Sequence, residues 1–281
     1  MTDLVVDDRL AANRTGATQL QRQWQPASGD PSAAVLLVHG IGEHSGRYDH
    51  VGRALALAGM DVLGFDNRGH GQSGGRRGHV EAFSEFLDDV EDLIAERREL
   101  GVPVVLIGHS LGGLIAAHYM TERRPSPDLL VLSAPALRAE VPVWQRLLAP
   151  ILVRLVPRLF VPSNIDPTIL SRDEAVQQAY ADDPVRVGGG TVRLGHESFG
   201  AMERTVAGLS RITVPTYVLH GTDDELVPPA ASEPLSALAN VTYRLWPGLR
   251  HESFNEPEQN EVLAEMIAWI GDQLAVLADR S

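Results

Sequence analysis

Apolar runs alternate with amphipathic segments along most of this 281-residue chain. The runs are short and rich in Val, Leu and Ile, which is typical of strands buried on both faces. The predicted strands are Leu4–Val6, Leu20–Trp24, Ala34–Val38, Asp61–Phe65, Val104–Ile107, Leu129–Leu132, Thr216–Leu219 and Val241–Leu245. The predicted helices are Tyr48–Ala58, Phe83–Leu100, Leu111–Thr121, Ala230–Leu238 and Glu261–Leu277. The pattern predicts an α/β fold whose eight-stranded sheet is mostly parallel and flanked by helices, with an antiparallel hairpin at its start.

One region interrupts this alternation, between about residues 136 and 208. It contains short helical patterns separated by a Gly188–Gly190 run and by six prolines. The prolines are Pro142, Pro150, Pro157, Pro162, Pro167 and Pro184. Because the region follows the sixth predicted strand, it would lie over the strand ends where ligands bind. We therefore expect a helical lid at 136–208, inserted into a core made of 1–135 and 209–281.

Composition excludes several classes of chemistry. The chain contains no cysteine, and all 24 of its basic residues are arginine, so it contains no lysine. These absences exclude thiol nucleophiles, cysteine-ligated zinc, Schiff-base and pyridoxal phosphate enzymes, and P-loop NTPases. The formal net charge of −13 argues against a nucleic-acid partner, because nucleic acid binds basic surfaces.

The chain shows neither a membrane span nor an export signal. No segment reaches the roughly eighteen uninterrupted apolar residues of a spanning helix. The start, Met1–Leu10, is acidic and lacks the apolar core of a signal peptide. We therefore expect a cytoplasmic protein.

The pentapeptide Gly108–Gly112 (G-H-S-L-G) lies between a predicted buried strand and a predicted helix. A serine on the sharp turn between two such elements presents its Oγ at the helix N-terminus, and flanking glycines let the backbones approach closely. G-x-S-x-G alone arises by chance in glycine-rich chains, and the strand and helix around it favour a nucleophile over the alternative, an ordinary glycine-rich turn. Ser110 is therefore the candidate nucleophile.

A glycine-rich loop, His39–Gly42, follows the third predicted strand. Such a loop can turn a backbone N–H toward the carbonyl under attack. We expect the N–H groups of Ile41 and Leu111 to form an oxyanion hole. The alternative is an ordinary strand-to-helix turn.

The base and its orienting acid are expected at the ends of later strands, in the chain order serine, acid, histidine. His251 follows the last predicted strand and is the candidate base. Asp223, Asp224 and Glu225 all follow the strand Thr216–Leu219, and spacing alone does not choose among them. The alternative for His251 is a surface loop histidine.

Two rival sites are disfavoured. Gly69–Gly74 spells G-x-G-x-x-G, but a dinucleotide fold needs a helix to begin inside that motif, and helical pattern resumes only near Phe83. His44 and His50 lie six residues apart with no third ligand nearby, so a metal site is not expected. The sequence predicts no metal and no cofactor.

Three segments resemble the monoacylglycerol lipases of the α/β-hydrolase superfamily, and its bacterial members in particular. They are His39–Tyr48 (HGIGEHSGRY), Asp66–Ser73 (DNRGHGQS) and Gly108–Gly113 (GHSLGG). The resemblance runs from about Ala34 to Ile270 and is loose in the lid region. It implies the α/β-hydrolase fold and a serine hydrolase that cleaves monoacylglycerols to fatty acid and glycerol through an acyl-enzyme.

The resemblance also implies roles for individual residues. Asp224 becomes the acid, and Glu43, Arg47, His109 and Tyr180 become the groups that bind glycerol. The alternative for Glu43 and Arg47 is an ion pair that braces the loop, and both roles are compatible. The alternative activities are those of a general carboxylesterase or a lysophospholipase, and the alternative class is a non-catalytic binding protein with the same fold.

The first part of the predicted lid is apolar and basic. Apolar side chains recur at helical spacing at Trp144, Leu147, Leu148, Ile151, Leu152 and Leu155. Between Val141 and Pro162 the only charged residues are Arg146, Arg154 and Arg158. Such a segment favours peripheral contact with an anionic lipid surface. The alternative is that it packs on the core and lines an acyl tunnel.

Overall fold

A computed structural model describes residues 4–27, 29–139, 150–163 and 165–279 of the chain. Its strands are β1 (Val5–Ala12), β2 (Thr18–Gln25), β3 (Ala34–Val38), β4 (Asp61–Phe65), β5 (Val104–His109), β6 (Leu129–Ser133), β7 (Phe160–Pro162), β8 (Gly189–Thr191), β9 (Thr216–Gly221) and β10 (Val241–Trp246). Its helices are α1 (Asp49–Leu57), α2 (Ser84–Arg98), α3 (Leu111–Thr121), α4 (Glu174–Asp182), α5 (Val192–Gly208) and α6 (Gln259–Ala278).

Eight strands form one sheet in the order β1-β2-β4-β3-β5-β6-β9-β10. The pairs β1–β2 and β2–β4 are antiparallel, and the remaining pairs are parallel. The predicted fold class, with its mostly parallel sheet and its initial hairpin, is confirmed. Because β3 and β5 lie at the centre, the segments that follow them meet at one edge of the sheet.

Strand β1 is longer than the predicted Leu4–Val6. Most of its side chains are exposed, so it lacks the apolar pattern that marks a buried strand. Pairing with β2 holds it instead, together with a fork of hydrogen bonds from Arg22 to the carboxylate of Asp8 at 2.7 and 2.6 Å. Tertiary pairing thus extends a strand that its own sequence does not indicate.

Apolar side chains cover both faces of the sheet. In β3, Leu36 and Val38 pack with α2 and α3 on one face, and Val35 and Leu37 pack with α1 and α6 on the other. This alternation explains why the central strands read as continuous apolar runs. The two layers fix the sheet rigidly, so the loops at its edge start from well-defined points.

The predicted helix Ala230–Leu238 is wrong. The structure has two short 3₁₀ turns there, Pro229–Ala231 and Glu233–Ala237. Pro234 lies within the predicted range, and a proline inside a helix lacks the N–H donor and clashes with the preceding turn. The apolar spacing was compatible with a helix, but the proline prevents it.

The segment between β6 and β9 contains helical residues 150–155 and the helices α4 and α5. It also contains a two-stranded sheet, β7 with β8, that the sequence did not predict. Helix α5 packs on α3 of the sheet layer, where Thr205 Oγ1 lies 3.0 Å from His118 Nδ1. Trp144, Leu147, Leu148 and Arg146 of the predicted lid stripe, and Pro142, lie outside the described residues.

The glycine run at the end of this segment serves the small sheet. Gly189 has a φ of +148°, and a Cβ there would overlap the carbonyl oxygen of Val161. The run therefore allows close strand pairing where a break between helices was expected. None of the helices that the structure describes has the length and apolarity required to cross a bilayer.

Candidate active site

Ser110 occupies the turn between β5 and α3 in a strained backbone conformation. Its φ of 53° and ψ of −115° lie in a region that non-glycine residues rarely adopt. Such strain costs on the order of 1–3 kcal/mol and persists only where surrounding contacts impose it. Here the Ser110 N–H donates to Ser133 O at 3.0 Å, and its carbonyl accepts from the N–H groups of Leu114 at 2.9 Å and Ala136 at 3.0 Å.

Close backbone approach requires the glycines around Ser110. A Cβ on Gly108 would overlap the carbonyl oxygen of Gly112, and one on Gly112 would overlap that of Val38. Strand β3, strand β5 and the start of α3 therefore touch through their backbones. The glycines of G-x-S-x-G fix where the serine stands.

The loop after β3 reaches the serine. A Cβ on Gly40 would lie 3.1 Å from Ser110 Cβ, so the loop contacts Ser110 directly. The Gly40 N–H donates to Glu43 Oε1 at 2.5 Å, which holds the loop in its turn. Ile41 lines the same cleft as Ser110, and Leu111 begins α3, where backbone N–H groups have no partner within the helix. Both residues predicted to supply the oxyanion-hole donors thus lie beside Ser110.

Asp224 and His251 form a buried hydrogen-bonded pair. His251 Nδ1 lies 2.7 Å from Asp224 Oδ2. The other carboxylate oxygen of Asp224 accepts from the N–H groups of Leu226 at 3.0 Å and Val227 at 2.8 Å. Asp223 and Glu225 are exposed. Of the three acids that spacing left open, the one in contact with His251 is Asp224.

Charge and burial act in opposite directions on the pKa values of Asp224 and His251. Burial alone would raise the pKa of Asp224, but the charge of His251 and the hydrogen bonds from His220 and His251 hold it well below its ordinary value. Burial likewise opposes protonation of His251, but Asp224 outweighs it and raises the pKa of His251 above its ordinary 6.5. Asp224 is therefore a carboxylate, and His251 is a stronger base than an isolated histidine.

A second histidine, His220, contacts the same carboxylate, and the sequence analysis missed it. Its Nε2 lies 3.0 Å from Asp224 Oδ2 and 2.8 Å from Val227 O, both acceptors, so Nε2 carries the proton. Its Nδ1 lies 2.7 Å from Ser232 Oγ, which in turn lies 2.8 Å from Tyr243 Oη. The signal was present in the sequence, because His220 directly follows the predicted strand Thr216–Leu219 and precedes Asp224 by four residues.

His109 is the last residue of β5, and its ring lies next to that of His251. Its Nδ1 is 3.1 Å from Ser133 Oγ, and its ring centroid is 4.8 Å from that of His251. Burial and the neighbouring His251 lower the pKa of His109 well below the ordinary value. A neutral imidazole therefore lines the cleft next to Ser110.

Glu43, Arg47 and Glu252 form a buried ion cluster that lines the same cleft. The Arg47 guanidinium donates to both oxygens of Glu252 at 2.6 and 2.8 Å and to Glu43 Oε2 at 2.9 Å. It also lies 5.0 Å from the ring centroid of Tyr180. Glu43 Oε1 accepts from Tyr48 Oη at 2.6 Å. The bracing pair that the sequence left open therefore exists, with Glu252 as a further partner.

These groups line one cleft together with apolar side chains. Its lining residues are Gly40, Ile41, Glu43, Arg47, His109, Ser110, Ile165, Leu170, Tyr180, Leu226, His251 and Glu252. The structure thus brings Ser110, His251 and all four predicted glycerol-binding residues to a single place. Asp224 lies directly behind His251.

A family model described as "Serine aminopeptidase, S33" matches residues 29–258 of the chain. The chain belongs to this family. It is also similar to a monoacylglycerol lipase of Mycolicibacterium smegmatis, with 38% identity covering 89% of this chain and 92% of that protein. A phospholipase of Bacillus subtilis is 32% identical over 85% of this chain and 95% of its own length. The crystal structure of a Paleococcus ferrophilus monoacylglycerol lipase has a TM-score of 0.80 and 33% identity, covering 92% of this chain and 99% of that one.

These similarities confirm the resemblance on which the sequence analysis relied, and with it the α/β-hydrolase fold and assignment as a hydrolase. These relatives cover 85–92% of the chain, and the range matched by the family model includes the region between β6 and β9.

The two histidines of the disfavoured metal site, His44 and His50, each contact another group of the protein. His44 Nε2 lies 2.9 Å from Asp183 Oδ2, and His50 Nε2 lies 2.7 Å from Phe254 O. Across the described residues, no group of three or more potential ligands is arranged to hold a metal ion. No helix begins within Gly69–Gly74, since α2 starts at Ser84.

Proposed function

We propose that this chain hydrolyses monoacylglycerols to fatty acid and glycerol through an acyl-enzyme formed on Ser110. The observation that carries the proposal is the buried Asp224–His251 pair, at 2.7 Å, opening into the same cleft as Ser110 and a buried polar cluster. The relatives named as monoacylglycerol lipases supply the substrate class. The cleft combines apolar walls with a few polar groups, as a site for a small amphiphilic ester requires.

In this mechanism Ser110 Oγ attacks the ester carbonyl carbon while His251 takes the hydroxyl proton. Asp224 accepts the hydrogen bond from His251 Nδ1, which keeps Nε2 free to act as the base and stabilises the imidazolium that forms. The N–H groups of Ile41 and Leu111 donate to the oxyanion. His251 then gives its proton to the departing glycerol oxygen, and a water molecule activated by His251 hydrolyses the acyl-enzyme.

We assign binding of the glycerol hydroxyls to Glu43, Arg47, His109 and Tyr180. Glu43 and Arg47 also hold each other, so these residues both shape the loop and line the cleft. Arg47 donates to carboxylates through its two terminal nitrogens, which leaves its Nε–H uncommitted to them. A glycerol leaving group offers two free hydroxyls that need such partners in a buried site.

We also assign residues 136–208 as a lid over the core formed by 1–135 and 209–281. Its described first part exposes seven apolar side chains, which are Ile151, Leu152, Leu155, Val156, Leu159, Phe160 and Val161. Arg154 and Arg158 accompany them, although Arg158 pairs with Glu81 at 2.6 Å. An exposed apolar patch with basic residues is suited to an anionic lipid surface. We therefore propose a cytoplasmic enzyme that contacts lipid peripherally through this lid.

The phospholipase relative favours a second candidate, a lysophospholipase that uses the same residues. The decisive experiment compares hydrolysis of monoolein, diolein, triolein and a lysophospholipid, with Ser110→Ala as the control. We expect monoolein to be the best substrate and the variant to be inactive. Equal rates on monoolein and triolein would contradict the monoacylglycerol assignment, and an active Ser110→Ala variant would contradict the mechanism.

Covalent labelling distinguishes the proposed enzyme from a non-catalytic binding protein. A fluorophosphonate should modify Ser110 in the intact protein, because the reagent reacts with an activated serine. An unlabelled, fully folded protein would favour the binding alternative.

A further inference from the structure

Glu252 adds a carboxylate to the cleft that neither the catalytic roles nor the predicted glycerol contacts use. It follows His251 in the chain, and its side chain is 5% exposed. Its two oxygens take both terminal nitrogens of Arg47, and Asn255 Nδ2 donates to Oε2 at 2.9 Å. Arg47 is thereby held between two carboxylates, Glu43 and Glu252.

This arrangement leaves the polar side of the cleft with an excess of negative charge. Burial alone would lower the pKa of Arg47, but Glu252 and Glu43 raise it far above its ordinary value, so the guanidinium is charged. Two carboxylates against one guanidinium give a formal charge of −1 among the lining residues. Arg186 lies 4.4 Å from the Tyr180 ring centroid but is not part of the lining.

The charged cluster lies near His251, because the charges of Glu252 and Glu43 both contribute to raising the pKa of His251 after the larger effect of Asp224. His251 must protonate the departing alcohol, so that alcohol stands beside His251. The residue after His251 is Glu252, and Arg47 and Glu43 are joined to it. Any charge carried by the alcohol part of the ester therefore lies close to this cluster and interacts with it.

We infer that Glu252 makes the site selective for esters of neutral or cationic alcohols and rejects esters of phosphorylated alcohols. The inference rests on the proposed function, since it specifies which glycerol esters the enzyme accepts. By occupying the outer face of the Arg47 fork, Glu252 prevents Arg47 from serving as a phosphate receptor, a role for which a free guanidinium is well suited. Glu252 thus acts on specificity through charge and needs no part in the chemical step.

The test uses three soluble octanoyl esters that differ in the charge of the alcohol. They are 1-octanoylglycerol, 1-octanoylglycerol 3-phosphate and octanoylcholine, each assayed below its micellar concentration. The quantity compared is kcat/KM for each charged ester divided by that for octanoylglycerol. The variants are Glu252→Gln, which removes one charge at constant shape, and the control Glu258→Gln. Glu258 is paired with Arg172 outside the cleft.

We expect the wild-type protein to prefer octanoylglycerol over its phosphate by at least about tenfold, the order expected from one unit charge at a few ångström in a partly buried site. Glu252→Gln should raise the relative rate on the phosphate and lower that on the choline ester, each by about fivefold. Opposite shifts are the signature of charge, since distortion of the site would affect all three esters alike. Glu258→Gln should change neither ratio.

Wild-type rates on octanoylglycerol and its phosphate within twofold of each other would overturn the inference and leave the proposed function intact. No hydrolysis of octanoylglycerol by a folded, fluorophosphonate-reactive protein would instead overturn the proposed function. Ratios that move in the same direction in Glu252→Gln would also overturn the inference. If that variant does not fold, the wild-type ratios decide alone.

Discussion

Ser110 is positioned by backbone packing, whereas Asp224 and His251 are positioned by hydrogen bonds between side chains. The serine turn is enclosed by glycines whose missing Cβ atoms let three elements touch. The Asp224 carboxylate instead accepts four hydrogen bonds, two from backbone N–H groups and two from histidines. The first arrangement tolerates no added atom, and the second depends on donors that can be removed one at a time. Substitutions at the glycines around Ser110 should therefore reduce stability, whereas substitutions around Asp224 should mainly reduce activity.

The largest effect, on stability, is expected at the glycines around Ser110. Gly112→Ala places a Cβ against the carbonyl oxygen of Val38, with rigid backbone on both sides. We expect a loss of more than about 4 kcal/mol in the free energy of unfolding, the range of severe core overpacking, or no folded protein. The measurement is chemical or thermal unfolding.

Gly271→Ala is the matched control for that variant. Gly271 lies in α6 with no neighbouring atom within 4 Å of a built Cβ. Alanine there should be neutral or stabilising by about 1 kcal/mol, because glycine is the poorer helix former. Equal stability of the two variants would show that close packing does not position the serine turn.

Asp224→Asn should leave folding largely intact and remove activity. The amide presents its N–H₂ group or its oxygen to His251 and no longer stabilises the imidazolium, so kcat should fall by about 10⁴-fold. Asp223→Asn, at the exposed neighbour, should change kcat by less than twofold. A similar loss from both variants would contradict the assignment of Asp224.

The same pair predicts the pH dependence. Activity requires neutral His251, so kcat/KM should decline as pH falls through a pKa above 6.5. In Asp224→Asn the charge that raises this pKa is absent and burial still lowers it, so the acid limb of the residual activity should move to lower pH. An acid limb that stays in place or moves upward would contradict the electrostatic coupling.

His220→Ala should have a smaller effect of the same kind. The variant removes one donor to Asp224 and leaves His251 in place, so we expect kcat to fall by about tenfold with little change in KM. His220→Gln, whose amide can donate to Asp224, should recover part of the loss. A change confined to KM would mean that His220 does not act through the acid.

The smallest effect is expected on the surface of the proposed lid. Leu155 is 73% exposed beside Arg154, and Leu155→Glu puts a negative charge into the proposed lipid contact. We expect binding to anionic lipid vesicles to weaken by about fivefold in a co-sedimentation assay. Leu57→Glu, at a 62% exposed position in α1, is the control and should bind as the wild-type protein does. Equal binding by both variants would remove the lid from the lipid contact.

The turn that carries Ser110 could be predicted from sequence because its determinants are local. Strand, glycines and helix lie within one short segment, and α3 begins and ends at the predicted residues, Leu111 and Thr121. The acid that partners His251 could not be identified in the same way. Three adjacent acids satisfy the spacing, so the residues alone did not choose among them. The family resemblance implied Asp224, and the folded loop shows that Asp224 contacts His251.

Other features escaped prediction for equally physical reasons. The position of Glu252 beside His251 carried no motif, and its partner Arg47 is 205 residues away in the chain. Strand β1 owes its length to β2, and β7 and β8 have three residues each, which is too short for an alternating pattern to be recognised. Long-range pairing leaves few marks in a local window of sequence.

The bond from Val187 N–H to Gly42 O, at 2.8 Å, has a mechanical consequence. Gly42 belongs to the loop that carries the Ile41 donor, and a Cβ on it would lie 2.8 Å from Val187 O. Through Val187, the C-terminal part of the proposed lid is thus hydrogen-bonded to the loop of the proposed oxyanion donor. A displacement there would disturb the catalytic geometry along with the entrance. We therefore expect any opening of the proposed lid to be confined to its described apolar part, residues 150–161, because movement at Val187 would carry the loop of Ile41 with it.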